Sequence, residues 1–200
     1  MLLTLSIANT SKLPAAILAL EGYSGKKTRH FYNNVCCAPW ASAYLQIGVG
    51  SGAAFAAALY GNAHCQGTAV DKWAGNRDAF NATASTFVTS PYMCVNAGAE
   101  LPGTPKFTVY LFDGEHTYDD QYRAITHIWK HLADTAVILI DDWNWADVRN
   151  GTKDGLKAVG ALIENSHEIR YTHENEHTPW DVAKAGFWNG IGIFVVSKPK

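Results

Sequence analysis

Short apolar runs alternate along the chain with segments of helical spacing, and this alternation predicts an α/β fold. Residues 109–112 and 137–140 are apolar throughout, which is typical of strands buried on both faces of a parallel sheet. Between them, apolar and aromatic side chains recur at helical spacing over residues 117–131. The whole pattern predicts strands at 44–47, 67–70, 92–95, 107–112, 136–140, 168–172 and 191–196, and helices at 53–60, 79–87, 117–131 and 154–164.

This order of elements predicts a Rossmann-like, doubly wound sheet that is mostly parallel, with helices on both faces. No clear helix separates the last two strands, so we expect an antiparallel pair at one edge of the sheet. The preceding residues 1–40 predict an N-terminal helical cap, leading into an α/β domain over 41–200. A chain of 200 residues, 48% of them hydrophobic, fills one core but is short for two, so we expect a single compact domain.

The charge pattern and composition exclude several kinds of partner. The net charge is −2, and the densest basic stretch, around Lys26, Lys27 and Arg29, predicts a solvated helix face rather than a nucleic-acid surface. No run approaches the roughly 20 apolar residues of a membrane span, and the opening MLLTLSIA lacks the basic region of a signal peptide. Four cysteines without a CxxC spacing indicate buried thiols in a reducing compartment. We therefore expect a cytoplasmic protein with no membrane or nucleic-acid partner.

A glycine-rich turn follows the first strand, in the sequence YLQIGVGSG at residues 44–52. Gly48, Gly50 and Gly52 permit a tight turn and close approach of a ligand to the backbone before the next helix. Asp71 ends the second strand about 20 residues further on, where an acidic side chain accepts hydrogen bonds from a ribose. Lys72 and Trp73 follow, and the Trp73 indole is a candidate to pack against a purine. The turn and Asp71 together predict a nucleoside site, and both fit a nicotinamide dinucleotide as well.

Two further strands end on carboxylates. Asp113 follows one of them, and Asp141 and Asp142 end the next. Ligands bind outside the carboxyl ends of the strands in an open α/β sheet, so we expect these groups around one small volume, on the side of the glycine turn. Such a cluster needs a cation, a shared proton or open water. We interpret Asp113, Asp141 and Asp142 as ligands of a divalent cation such as Mg²⁺.

The loop after Asp113 contains two candidate catalytic side chains, Glu115 and His116. Histidine is suited to proton abstraction near neutral pH. We therefore interpret His116 as the general base, with Glu115 as the second candidate and Asp113 as part of the catalytic group. The aromatic residues of the C-terminal half are candidates to line an acceptor pocket or to pack in the core: Trp143, Trp145, Trp180, Phe187 and Trp188.

The strings YLQIGVGSG, AVDKW, FDGEHTYDDQYRA and ILIDDWNW, in this order, resemble class I S-adenosylmethionine-dependent methyltransferases. The likeness covers residues 43–197 and is greatest to the branch with DG-x-H-x-Y and DD-aromatic motifs, which includes macrocin-type sugar O-methyltransferases. Gln46 stands where this family usually has Glu or Asp, so the charge that helps to hold the ammonium group of the cofactor is missing. The resemblance implies a cofactor site at Gln46, Gly48, Gly50, Ser51, Gly52, Asp71, Lys72, Trp73, Asn96, Ala97 and Asp113, and a Mg²⁺ site at Asp113, Asp141 and Asp142.

The resemblance implies Mg²⁺-assisted O-methylation of a small hydroxylated acceptor, such as a sugar or another diol, with S-adenosylmethionine as methyl donor. Two alternatives stay open at this point. One is an NAD-dependent oxidoreductase, because the glycine turn and Asp71 fit both cofactors. The other is a catalytically degenerate methyltransferase-like binding domain, which the missing charge at Gln46 favours. A homo-oligomer is also left open.

Overall fold

The computed structural model describes residues 9–173 and 175–199. The start of the expected N-terminal cap and the opening segment lie outside the described residues. Within these ranges, no helix is long and apolar enough to cross a membrane. The helices are α1 (Ala15–Leu18), α2 (Lys26–Cys37), α3 (Ala53–Leu59), α4 (Arg77–Phe87), α5 (Tyr118–Thr126), α6 (Ala146–Ala158) and α7 (Trp180–Ala185), with a 3₁₀ turn at Trp129–His131. The strands are β1 (Ala43–Ile47), β2 (Gln66–Asp71), β3 (Tyr92–Asn96), β4 (Phe107–Phe112), β5 (Leu132–Asp141), β6 (Leu162–Ile169) and β7 (Ile191–Ser197).

The seven strands form one sheet in the order β3-β2-β1-β4-β5-β7-β6. β1 pairs in parallel with both β2 and β4, and β4 pairs in parallel with β5. β7 is antiparallel to both of its neighbours, β5 and β6. The predicted fold class is confirmed, with the antiparallel pair at one edge. The order reverses between β1 and β4, and a ligand crevice is expected at the carboxyl ends of these two strands.

Helices cover both faces of the sheet because side chains alternate along each strand. Val137 and Leu139 of β5 pack on the face that α2, α3 and α4 cover. Ile138 and Ile140 pack on the opposite face, against α5 and α6. Burial on both faces explains why this strand is an unbroken apolar run in the sequence.

The helix predicted at 154–164 is displaced in the structure. α6 begins at Ala146 and ends at Ala158, and Leu162 and Ile163 lie in β6 with half of their surface exposed. Gly160, with φ +67°, ends the helix, since a left-handed residue directly after a helix turns the backbone out of it. A short helix, α7, also lies between the last two strands, where none was evident from the sequence.

The N-terminal helices pack against α3. The division into an N-terminal cap and an α/β domain stays a prediction. The interpretation of the basic stretch as a solvated face is wrong at Arg29, which is 2% exposed. Its guanidinium donates to the backbone oxygens of Ile17 at 2.8 Å and Leu18 at 3.2 Å. Arg29 thus satisfies carbonyls at the end of α1 that have no partner within that helix.

Candidate functional site

The glycine turn is fastened to the ends of two strands. The Gly48 nitrogen donates to the Val70 oxygen at 2.8 Å, and the Asp113 nitrogen donates to the Ile47 oxygen at 2.9 Å. Gly48 has φ +81°, and a Cβ there would lie 1.8 Å from the backbone oxygen of Asp113. Only glycine fits this position, so the turn and the acidic end of β4 are held at a fixed separation.

Asp71 organises the glycine turn from the end of β2. Its Oδ2 accepts from the backbone nitrogens of Val49 and Gly50, each at 3.0 Å. Its Oδ1 accepts from the Trp73 nitrogen at 2.9 Å and the Asn76 amide at 3.3 Å. Partial burial pushes the pKa of Asp71 upward, but these donors outweigh burial and lower it. The carboxylate holds the turn in place, and its predicted contact with a ribose stays a prediction.

Gln46 lies beneath the turn and is fully buried. Its Oε1 accepts from the Tyr44 hydroxyl at 2.9 Å, and its Nε2 donates to the Gly48 oxygen at 3.0 Å. A carboxylate at this position would lack the N–H donor that supports the turn. The glutamine therefore supports the turn from below, through contacts that are neutral.

Asp113, His116 and Asp142 come together at the carboxyl edge, where one ligand atom from each lies within 4.8 Å of the others. His116 Nε2 lies 2.8 Å from Asp142 Oδ2. Asp142 adopts φ +58°, which is uncommon for a residue other than glycine and directs its side chain to this position. The Asn189 amide donates to the other oxygen of Asp142 at 2.8 Å.

Asp141, predicted as a cation ligand with Asp113 and Asp142, is not among the three residues that converge. It is 4% exposed, and its Oδ1 accepts from the backbone nitrogen of Asp142 at 2.9 Å. The structure thus brings His116 to the position expected of Asp141, while Asp141 lies beside the cluster and supports the backbone of Asp142.

Burial makes this acidic group electrostatically costly. Burial, and then the charge of Asp142, raises the pKa of Asp113 to about 7. Burial and the neighbouring carboxylates also raise the pKa of Asp141 well above its usual value. The hydrogen bond that His116 donates to Asp142 raises the pKa of His116. Tyr32 on α2 is near enough for Asp141 and Asp113 to add to the effect of burial in raising its pKa, and its buried hydroxyl has no partner among the described residues.

Glu115 lies outside this group. It forms an exposed ion pair with Lys72, with 2.6 Å between Oε1 and Nζ. Exposed pairs of this kind contribute little to stability. Glu115, a predicted catalytic residue, is therefore paired with Lys72, a predicted cofactor residue, at the rim of the site. Both roles stay predictions.

A cavity of about 690 Å³ opens beside the turn and the acidic edge. Ligand pockets are usually about 300–1,000 Å³, so this one is large enough for a nucleoside. The predicted cofactor residues divide into two groups. Those that line the cavity are Gly48, Asp71, Lys72, Ala97 and Asp113, whereas Gln46, Gly50, Ser51, Gly52, Trp73 and Asn96 do not.

Trp73 packs on the face of the sheet that α3 and α4 cover, opposite to the face on which the cavity lies. Its Nε1 donates to the Val95 oxygen at 3.0 Å, and its ring packs against Phe80 with 5.1 Å between centroids. The Arg77 guanidinium lies 4.2 Å from its ring centroid. These contacts occupy the indole, so the structure gives no support for its predicted packing against a purine.

The aromatic residues predicted to line an acceptor pocket fall into three groups. Trp143 and Phe187 are core residues, with 0% and 3% of their surface exposed. Trp145 stacks on His116, with 5.8 Å between ring centroids. Trp188 packs edge-on against both Trp180 and Tyr23. Only the last two groups lie where they can meet a ligand.

Three residues near the site were missed by sequence reasoning: Asn189, Tyr32 and Tyr23. The dipeptide Asn189-Gly190 is a turn signal before the last strand, and it could have drawn attention to this loop. Tyr32 and Tyr23 precede the α/β domain, and nothing local in the sequence connects them to it.

Part of the chain is similar to a known protein family, and the whole fold is similar to several solved structures. Residues 45–143 match a family described as a methyltransferase domain. No curated protein matches the chain at a significant level. Solved structures that share the fold include cofactor-bound Rv0187 from MTB (TM-score 0.65, 14% identity, 92% of this chain and 87% of that chain covered). Another is an O-methyltransferase from Bacillus cereus in complex with SAH (TM-score 0.64, 10% identity, 92% and 86% covered). A third is PH1948 from Pyrococcus horikoshii, a proposed RNA methyltransferase (TM-score 0.62, 10% identity, 93% and 96% covered).

The fold is that of the Rossmann-like methyltransferases. The match to the methyltransferase family model covers residues 45–143. This match spans β1 through the end of β5, and therefore the turn, Asp71 and the whole acidic edge.

Proposed function

We propose that this protein transfers a methyl group from S-adenosylmethionine to a hydroxyl oxygen of a small acceptor, assisted by a divalent cation. The observation that carries the proposal is the convergence of Asp113, His116 and Asp142 within 4.8 Å. One member of the group, Asp113, lines the cavity together with Gly48 and Asp71. The finer resemblance, to sugar O-methyltransferases with DG-x-H-x-Y and DD-aromatic motifs, is part of the same proposal.

The residues present fit a divalent cation. Asp113 and Asp142 offer carboxylate oxygens, which Mg²⁺ prefers, and leave room for water or acceptor oxygens in its shell. The raised pKa of Asp113, about 7, reflects the cost of burying its charge beside Asp142, and a bound cation would remove that cost.

The cavity also fits the nucleoside part of S-adenosylmethionine. Gly48 lines the cavity directly after β1, and Ala97 borders it after β3. Cofactor-bound and SAH-bound neighbours of the same fold support this choice over a nicotinamide dinucleotide. When bound, S-adenosylmethionine would supply a methyl group activated by its sulfonium charge.

A cation at Asp113 and Asp142 would lower the pKa of an acceptor hydroxyl and fix its direction. His116 is suited to take the hydroxyl proton. Its Nε2 faces Asp142, which leaves Nδ1 as the atom that accepts the proton. Asp142 holds the imidazole in position and raises its pKa, and Trp145 stacks on the ring to restrict its rotation. The chain's contribution is thus orientation of reactants and removal of one proton.

Exposed aromatic rings favour a ring-shaped acceptor such as a sugar. Tyr23 is 79% exposed and Trp180 is 57% exposed, and both pack against Trp188. Trp188 directly precedes Asn189, which contacts Asp142, so this aromatic group adjoins the acidic edge along the chain. Rings of this type bind the apolar faces of cyclic ligands.

Titration calorimetry with S-adenosylhomocysteine and with Mg²⁺ tests the proposal. We expect both to bind the full chain, and Asp113→Asn to weaken Mg²⁺ binding at least tenfold. Asp119→Asn is the matched control, because Asp119 is an exposed carboxylate on α5 outside the cluster, and it should leave both affinities unchanged. Failure of S-adenosylhomocysteine to bind, or binding of NADH in its place, would contradict the proposal.

The degenerate-domain alternative is tested separately, by turnover. Release of S-adenosylhomocysteine is measured with catechol and a panel of methyl glycosides, with and without EDTA. Transfer that EDTA abolishes supports the cation. Tight binding of S-adenosylhomocysteine without transfer to any diol would favour a binding domain instead.

A further inference from the structure

The connection between β3 and β4 leaves part of one sheet face without a helix. β3 is an edge strand, and β2 and β1 separate it from β4. Residues 97–106 make this crossing and contain no helix, although crossovers between parallel strands usually contain one. On the α5 side of β3, Val95 is half-buried and Met93, which shares its face by alternation, is 39% exposed.

The cavity beside the glycine turn continues into this gap. It begins at Gly48 and Asp113 and follows α5 as far as the 3₁₀ turn. At about 1.5 Å per helical residue, the lining from Asp120 to His127 alone spans roughly 10 Å. We call the distal part the lower cavity, which is lined by Leu101, Arg123, Ala124, His127, Ile128 and His131.

Both apolar and polar side chains line the lower cavity. Leu101 packs against the core on one side, and Ile128 is 3% exposed on the other. The backbone of Pro102 lies beside His131, so the loop approaches the 3₁₀ turn at this point. The Nδ1 atom of His131 is buried and has no hydrogen-bond partner in the part of the chain that the structure describes. The compartment thus offers apolar surface from Leu101 and Ile128.

We propose that the lower cavity accepts a substituent on the exocyclic amine of the adenine ring, so that the protein binds N6-substituted adenosine derivatives. This inference rests on the proposed function, which seats the ribose near Asp71 and the base beside Ala97. In adenosine, the exocyclic amine lies at the far side of the purine from the ribose. A base beside Ala97 therefore directs this amine toward Leu101 and Ile128, where the cavity continues.

Calorimetry on the full chain tests the inference with two probes, S-adenosylhomocysteine and its N6-benzyl derivative. We expect the two dissociation constants to agree within about tenfold, or about 1.4 kcal/mol. Two variants fill the lower cavity from exposed positions, where the fold tolerates them: Ala99→Trp in the loop and His127→Trp after α5. Each should weaken the N6-benzyl derivative at least tenfold and leave S-adenosylhomocysteine within about threefold. Ala82→Trp, on an exposed position of α4 across the sheet, is the control and should change neither affinity.

The outcomes separate the two proposals. If S-adenosylhomocysteine itself does not bind, the proposed function fails. If it binds but the N6-benzyl derivative does not bind at the same concentrations, the inference alone is overturned. It is also overturned if both filling variants weaken the two probes equally, since the nucleoside itself would then occupy the lower cavity.

Discussion

The Asn189 amide donates to Asp142 Oδ1 at 2.8 Å and ties the turn before β7 to the acidic end of β5. Asn189 Oδ1 also accepts from the Thr178 nitrogen at 3.0 Å, and Asn189 is 4% exposed. One buried amide thus fixes both the segment that precedes α7 and the carboxylate that contacts His116. Asn189 thus orients Asp142, a candidate ligand of the divalent cation. Residues that orient a metal ligand in this way affect metal affinity without contacting the metal.

Asn189→Ala should lower both stability and cation affinity. The substitution leaves a buried carboxylate oxygen and a buried N–H without a partner, so we expect a loss of roughly 2–4 kcal/mol in the free energy of unfolding. Mg²⁺ affinity should fall about tenfold or more, because Asp142 is no longer held. Urea denaturation and calorimetry measure these effects. Asn81→Ala, an exposed asparagine of α4, should change neither, and an unchanged Mg²⁺ affinity in Asn189→Ala would show that the amide does not orient the site.

The stability of the cation-free protein should fall as the pH rises from about 4 to about 7. The pKa of Asp113 is about 7 in the folded protein, whereas an aspartate in an unfolded chain has a pKa near 3.9. Between these values the folded state binds more protons than the unfolded state, so the free energy of unfolding decreases with pH and levels off above about 7. The change in stability amounts to a few kcal/mol from this group.

Thermal denaturation at several pH values in EDTA measures this dependence. Asp113→Asn cannot ionise and should lose less stability than wild type across the same window, so the difference between the two proteins isolates Asp113. At pH 8, added Mg²⁺ should raise the melting temperature of wild type but not of Asp113→Asn. Parallel pH profiles for the two proteins would contradict the assignment.

Gly48 and Gly50 form a matched pair, since both have positive φ but only one is crowded. A Cβ at Gly48 would lie 1.8 Å from the Asp113 oxygen, whereas a Cβ at Gly50 meets nothing within 4 Å. Gly50→Ala should lower the free energy of unfolding by about 1–2 kcal/mol, the cost of a left-handed L-residue. Gly48→Ala should cost clearly more and abolish binding of S-adenosylhomocysteine. Equal losses in urea denaturation would show that contact with the end of β4 does not constrain the turn.

The sequence predicts the position of the site better than its internal arrangement. Apolar runs predict the strands that lead to Gly48, Asp71 and Asp113, and parallel pairing brings the ends of such strands to one edge. The sequence does not show which of Asp141 and Asp142 faces Asp113 and His116, because this depends on the φ of +58° at Asp142. A pattern of residue types does not reveal which of two adjacent side chains turns toward a cavity.

Contacts between distant segments were equally hidden. Asn189 reaches Asp142 across 47 positions, and Tyr32 approaches Asp141 from a helix before the sheet begins. By contrast, the end of α6 follows from a local signal. Gly160 is a recognisable helix stop in the sequence, whereas the apolar spacing through Leu162 and Ile163 favours a longer helix. The glycine sets the end of α6, and Leu162 and Ile163 lie in β6, an edge strand whose side chains are largely exposed.

His116 is expected to act on the acceptor proton rather than to hold the cation. His116→Ala should therefore reduce methyl transfer to any diol that wild type accepts by about 10²–10⁴-fold, the usual contribution of a general base. Its affinities for S-adenosylhomocysteine and Mg²⁺ should stay within about threefold of wild type. Because Asp142 raises the pKa of His116, the rate in wild type should increase with pH through a midpoint above the ordinary value of about 6.5. The protonated imidazole that predominates below this midpoint cannot accept a proton.

His167→Ala, on the exposed face of β6, is the control and should retain full activity and the same pH profile. A loss of Mg²⁺ affinity of tenfold or more in His116→Ala would instead make this histidine a ligand of the cation, as its position within 4.8 Å of Asp113 and Asp142 also permits.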